Sequence, residues 1–279
     1  MDFLDRLIEL ALDEDLGAAG DVTTRALVPA EALGQAELWV KEDLTLAGCE
    51  AFTRVFTNVD PRVRVTFTAK DGDSVKDKTR IATLEGSLRS LLIGERPALN
   101  ILQRTSGIAT LSRRAADAVA GSKLRVLDTR KTSPGMRGLS KDAVRAGGAH
   151  NHRFGLFDGV LIKDNHIAAV GGSITEALVR ARANAPRLVK IEIEVTTLAQ
   201  LDEAMAAGAD IVLLDNMDDA QVAESVRRAA GRVELEVSGG VTVARLPALA
   251  KLGVDYVSLG ALTHSARAMD LSLEILASK

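Results

Sequence analysis

A chain of 279 residues has room for one large domain or two modest ones with a substantial buried core. Its 47% hydrophobic and 26% charged residues include no apolar run near the ~20 residues of a membrane-crossing helix, and a net charge of −3 argues against a general nucleic-acid binder. The single cysteine, Cys49, excludes an internal disulfide, and Met1–Asp5 lacks a secretory start, so a reducing, cytoplasmic setting is expected.

In chain order, the periodicity predicts a helix over Asp2–Leu12, a turn at Gly17–Asp21 and a helix cap in Asp21-Val22-Thr23-Thr24. Alternating strands follow near Ala36–Lys41, Val63–Ala69 and Arg80–Glu85, as in a small α+β domain. A helix around Pro97–Thr105 is expected to break at Ser106-Gly107 and resume through Val119. The second half repeats a short apolar strand, a turn and an amphipathic helix. Its candidate strands are Leu124–Asp128, Gly159–Lys163, Lys190–Val195, Asp210–Asp215, Arg232–Val237 and Tyr256–Leu259. Ser173-x-x-Glu176 and Thr197-x-x-Gln200 read as capping boxes, and Asp218 or Asp219 as a further N-cap. Consecutive β/α units must form a parallel sheet, open or closed into a barrel. The repeat of about 20 residues and the polar strand ends favour the barrel over a doubly wound sheet.

Charge is unevenly spread. Between Arg96 and Lys163 there are 13 Lys and Arg against 4 Asp, a balance of +9 inside a chain of net −3. Either a solvated basic face or a concave anion site accounts for that. Strand ends concentrate the cations: Arg130-Lys131 after one strand, Asn151-His152-Arg153 before the next, and Lys163 closing an apolar run. A lysine there needs an anionic partner, either a protein carboxylate such as Asp164 or Glu194 or a ligand. Ile191-Glu192-Ile193-Glu194-Val195 alternates, so both glutamates share one face. Glu192 is expected deep in the barrel with an internal partner, and Glu194 near its mouth. With Asp215 at the end of the next strand, Glu194 offers the oxygen ligands that Mg²⁺ prefers, directly or through water. Ser238-Gly239-Gly240 and Gly260–His264 follow the last two strands, where backbone N–H groups cradle phosphates. His150-x-His152 lacks a supporting third ligand and does not read as a zinc pair.

Taken together, Glu95-Arg96-Pro97-x-Leu99-Asn100, Ser106–Thr110, Asp128–Pro134, Asn151-His152-Arg153, Ile162–His166, Leu214-Asp215-Asn216, Ser238-Gly239-Gly240 and Gly260–His264 resemble the quinolinate phosphoribosyltransferases in order and spacing. The likeness runs from about Asp13 to Leu273, with Pro97 and Asp142 standing where Thr and Tyr are more usual. It implies an incomplete, open β/α barrel over residues 107–266 with a smaller N-terminal α+β domain over 1–106, and residues 267–279 packed on the latter. It also implies a homodimer, or a hexamer built of dimers, with Arg96 entering the partner's site. Arg96, Arg130, His152, Arg153 and Lys163 would bind quinolinate. Lys131, Ser238, Gly239, Gly240, Gly260 and His264 would bind phosphoribosyl pyrophosphate. Lys131, Glu194 and Asp215 would be catalytic, the two acids holding Mg²⁺. The reaction implied joins the pyridine nitrogen to ribose with loss of pyrophosphate and CO₂, giving nicotinate mononucleotide for NAD synthesis. A nicotinate phosphoribosyltransferase should need fewer cations, because its substrate has one carboxylate. A Schiff-base aldolase using Lys163 or Lys131 would leave the phosphate loops without a task, and a non-enzymatic phosphometabolite sensor would leave the acid pair without one.

Overall fold

The structure is a computed structural model describing residues 3–276. The expected helix start at Asp2 and the last three residues lie outside that range. In chain order the strands are β1 (Leu33–Val40), β2 (Leu44–Thr45), β3 (Arg64–Phe67), β4 (Ser74–Val75), β5 (Arg80–Ser87), β6 (Arg125–Leu127), β7 (Val160–Ile162), β8 (Ile191–Val195), β9 (Ile211–Asp215), β10 (Glu234–Ser238), β11 (Tyr256–Ser258) and β12 (Leu271–Ile275). The chain divides into two compact units. One comprises residues up to Arg113, Thr132–Gly148 and the chain from Thr263; the other comprises Arg114–Lys131 and Ala149–Leu262.

The first unit carries an antiparallel sheet in the order β12-β1-β5-β3. Inward residues of β1 alternate as Ala36, Leu38 and Val40, and they pack with Phe52, Phe56, Leu84 and Leu91 in one core. The Asp21 cap forms as expected, its side chain accepting the Thr24 N–H at 2.9 Å. β12 adds an edge strand to β1, with Leu38 opposite Leu273.

The helix expected from Pro97 instead runs unbroken over Leu88–Ala118. Pro97 lies inside it, and the cost of one lost backbone bond is offset by burial of Leu91, Ala98, Leu99 and Leu102 on the core side. Ser106-Gly107 does not end it either. The Ser106 hydroxyl receives the Ala47 N–H at 3.2 Å, and Gly107 is there for a backbone crossing. A Cβ at 107 would stand 1.8 Å from the Arg267 carbonyl oxygen. The expected domain boundary at 106/107 therefore falls inside a helix.

The second unit is a six-stranded parallel sheet in the order β6-β11-β10-β9-β8-β7. From β7 to β11 each strand lies beside its successor, and β6 then joins β11. A doubly wound sheet would reverse direction partway; this one travels round, as a barrel does. It stays open between β6 and β7. There the segment 149–153 lies along β6 through one bridge, Leu127 to His150, with the His150 N–H on Val126 O at 2.8 Å and the Asp128 N–H on His150 O at 3.0 Å. Crossover helices at Ile174–Asn184, Leu198–Ala206 and Asp219–Ala229 begin at Ser173, Thr197 and Asp218. Thr197–Gln200 and Asp218–Gln221 form full capping boxes. Ser173 caps the Glu176 N–H, but the Glu176 carboxylate turns to Arg180 instead of completing a box.

Strand parity then sorts the side chains. Val126, Ile193, Val212, Leu214, Leu235, Val237 and Val257 are buried on one face. The opposite, lumen face receives Leu161, Glu192, Glu194, Leu213, Asp215, Glu236, Ser238 and Ser258.

Candidate active site

Register ties the lumen residues into rows. Ser238 pairs with Asp215, and Val237 with Val257, so Ser238, Asp215 and Ser258 share the outer row. One step deeper, Glu236 pairs with Leu213 and Leu213 with Glu194. Over these rows lies a cavity of about 330 Å³ lined by Thr129, Arg130, Lys131, His152, Arg153, Leu161, Lys163, Leu213, Glu236, Ser238 and Ser258. Six residues named from the sequence as binding quinolinate or phosphoribosyl pyrophosphate thus line one cavity: Arg130, Lys131, His152, Arg153, Lys163 and Ser238.

The cations are crowded. Burial, then the neighbouring Arg130, lowers the affinity of the Arg153 guanidinium for its proton. Arg153 is aimed by one bond, Nη1 to the Gly159 carbonyl at 2.8 Å. The Arg130 Nε is buried with no hydrogen-bond partner among the described residues. Lys163 bonds Glu194 Oε2 at 2.5 Å, so the ion pair open at the sequence level is with Glu194 rather than Asp164. Cations held this close favour a polyanion between them.

His152 faces inward. Its Nδ1 accepts the Arg153 N–H at 2.7 Å, which puts the ring hydrogen on Nε2, 3.1 Å from Glu192 Oε2. Glu192 thus has the internal partner expected of it. Burial lowers the His152 pKa, but Glu192 and Glu236 outweigh that and hold it above its ordinary value. The Asp128 carboxylate fixes the loop by receiving the His152 backbone N–H at 2.8 Å.

Asp215 ends β9 beside Glu194 on β8, and its Oδ2 accepts the Asn216 side-chain amide at 2.7 Å. Asn216 adopts φ +55°, a left-handed conformation that Asn tolerates. Gly239 is pressed against it: a Cβ there would lie 2.3 Å from Asn216 Oδ1. With Gly240 also at positive φ, the loop after β10 exposes backbone rather than side chains. Gly260 follows β11, and Gly239 lines a separate shallow cavity with Asn216 and Arg245. Arg96 is exposed on the helix Leu88–Ala118, and His264 is exposed with Nδ1 2.6 Å from the Ser265 hydroxyl. Both belong to the other compact unit.

From the sequence no site role was assigned to Glu236, Leu213, Ser258 or Asn216. A signal was present for the first: Glu234-Leu235-Glu236-Val237-Ser238 alternates as Ile191–Val195 does. As for Mg²⁺, the test is the donor set. Glu194 and Asp215 are oxygen donors on adjacent strand ends, each with one oxygen already engaged, which fits a cation that keeps waters and shares substrate phosphates.

A β/α barrel with a cationic cavity, an acid pair and a glycine loop at its strand C-termini is built as an enzyme for an anionic, phosphorylated substrate. The family models for the quinolinate phosphoribosyl transferase N-terminal and C-terminal domains match residues 21–106 and 108–274. A Bacillus subtilis (strain 168) protein named a probable nicotinate-nucleotide pyrophosphorylase (carboxylating) is 43% identical over 272 residues, covering 98% of this chain and 93% of its own. The quinolinate phosphoribosyltransferase (decarboxylating) 1b of Nicotiana tabacum is 40% identical over 96% of this chain and 81% of its own. The structure of the nicotinate-nucleotide pyrophosphorylase from Francisella tularensis superposes with a TM-score of 0.92 at 39% identity, over 99% of this chain and 96% of that one. The chain belongs to the quinolinate phosphoribosyltransferase family.

Proposed function

We propose that the enzyme transfers the phosphoribosyl group of phosphoribosyl pyrophosphate to the ring nitrogen of quinolinate, releasing pyrophosphate and CO₂ and forming nicotinate mononucleotide. The observation that carries this reading is the gathering of Arg130, Lys131, Arg153 and Lys163 around one cavity sized for a small ligand. Arg130, Arg153 and Lys163 grip the two carboxylates, the arginines through bidentate contacts that a planar acid matches. Ser238, Gly239, Gly240 and Gly260 cradle the 5′-phosphate with backbone N–H groups, and His264 is assigned to the same phosphate on the family pattern. As the nitrogen attacks the anomeric carbon, positive charge grows on the ribose; Glu194 and Asp215 face that charge and Lys131 the departing pyrophosphate. Glu194 and Asp215 would hold Mg²⁺, which would supply charge neutralisation for the leaving group.

The enzyme is further proposed to be a homodimer, with Arg96 of one subunit completing the other's quinolinate site. Among the described residues no helix is long and apolar enough to cross a membrane; a cytoplasmic setting is proposed. The defining experiment is a coupled assay of pyrophosphate and CO₂ with quinolinate, repeated with nicotinate and with excess chelator. Equimolar products from quinolinate alone, abolished by chelation, are expected. Faster turnover of nicotinate would overturn the substrate, and full turnover in chelator the metal.

A further inference from the structure

Replacing the 2-carboxylate by hydrogen requires a proton as well as an exit for CO₂. When the bond from C2 to the carboxylate breaks, its electron pair stays on C2, next to the positively charged ring nitrogen. That pair must then form a C–H bond. We propose that Glu236 is the acid that protonates C2, so that it acts after ribosyl transfer and is a third catalytic carboxyl beside Glu194 and Asp215. The inference rests on the reading that quinolinate is the substrate.

Placement comes first. Glu236 sits on the lumen face of β10, in the row below Ser238, and lines the cavity shared by Arg130, Arg153 and Lys163. It is 2% exposed, and its Oε1 has no hydrogen-bond partner among the described residues. The groups facing it are Glu192 from β8, His152 from the segment beside β6, Lys163 from the end of β7 and the Ser258 hydroxyl of β11. The ligand atoms of His152, Glu192 and Glu236 lie within 4.8 Å of one another. Burial, with Glu192 this close, disfavours the charged form of Glu236, so its carboxyl retains a proton. A dication could satisfy the same three ligands, but it would add charge beneath a cavity already lined by four cations.

Elimination points the same way. The ring hydrogen of His152 is directed at Glu192, 3.1 Å away, not at the cavity. Lys163 is engaged by Glu194. The remaining acid on the floor is Glu236. Burial, then repulsion from Glu192, pushes its carboxyl up to about 8, so at neutral pH it carries the proton the step consumes. The balance is simple. The C2 pair takes the Glu236 proton, CO₂ leaves having given up both electrons of the broken bond to C2 so that no outside oxidant or reductant is needed, and the Glu236 carboxylate regains a proton from solvent after product departs.

The test is a single-turnover experiment with carboxyl-labelled quinolinate, following pyrophosphate and CO₂ in parallel. In wild type both should appear together. In E236Q, CO₂ should lag pyrophosphate by at least about 100-fold, with the ribosylated dicarboxylate accumulating, and E236D should restore much of the lost rate. CO₂ keeping pace with pyrophosphate in E236Q, or both falling by the same factor, would overturn the assignment. If E236Q does not fold, the wild-type ratio of CO₂ to pyrophosphate rates decides: it should fall as pH rises through about 8, and a flat ratio to alkaline pH sinks the idea. Absence of pyrophosphate in wild type would instead refute quinolinate as substrate, a separate failure.

Discussion

The two ends of the parallel sheet are both rich in charge, yet only one is arranged to bind. At the N-terminal ends of the strands a cavity of about 430 Å³ is lined by Lys123, Lys190 and Arg232 with Asp210, Glu234 and Asp255. There the cations are matched: Lys123 meets Asp255 at 2.9 Å, Lys190 meets Glu234, and Arg232 Nη2 bonds the Arg228 carbonyl at 2.7 Å. At the C-terminal ends, four cations share a cavity with the single buried acid Glu236. Volume does not separate the two cavities; the charge balance of their linings does, three cations with three acids at one end and four cations with one acid at the other. Charges that are locally cancelled hold a surface together weakly, whereas charges left in excess are available to a ligand.

The sharpest way to break this contrast is Lys163→Ala. Loss of one carboxylate partner in a desolvated site should lower kcat/KM for quinolinate roughly 1000-fold while the melting temperature stays near wild type, read by steady-state kinetics and calorimetry. Wild-type-like kinetics would mean the excess charge is not for the substrate. Next in size is complementation. Mixing inactive K163A with inactive R96A after subunit exchange should return about a quarter of wild-type activity, because half the dimers are mixed and each has one intact site. No recovery with proven exchange would place Arg96 outside the partner's site.

A smaller effect concerns pH. The Glu236 carboxyl is raised in the folded state to about 8 from an unfolded value near that of a free Glu. Between those two values the folded chain holds a proton that the unfolded chain does not, so stability falls as pH rises across the window. His152, whose pKa is also raised, contributes stability below its ordinary value that is lost as pH climbs through the raised one. From pH 5 toward pH 8 E236Q should therefore gain on wild type by at least about 1 kcal/mol, measured by urea unfolding. The smallest effect belongs to the opposite end. The double variant K190A/E234A should change kcat/KM less than about twofold and stability by roughly 1 kcal/mol or less, since exposed pairs contribute little. A large kinetic loss there would erase the distinction between the ends.

Much of the barrel was legible because its signal is local. Apolar strands at a short repeat, glycines after helices and cations near strand ends are each visible within a few residues; Arg130 and Lys131 follow β6, Lys163 follows β7, and Arg153 follows the bridge residue His150. Three things were not. β12 pairs with β1 across more than 230 residues of chain, a contact no local pattern encodes. The helix through Pro97 and Gly107 defeats the usual reading of both residues because packing outweighs their intrinsic preference. Glu236 was overlooked because an acid on a central strand looks like any alternating polar position until its neighbours, Glu192 and His152, arrive from other strands.

The crossing at Gly107 shows how far such override can go. Alanine is the better helix former by roughly 1 kcal/mol, and on helix grounds alone it would improve the middle of a long helix. Here even a methyl group would strike the carbonyl of Arg267, a few residues before β12 begins. The position is thus defined by what it lacks: an empty notch through which the returning chain passes on its way to the sheet edge. Filling it would be felt as a displaced terminal strand, far along the chain from the altered residue.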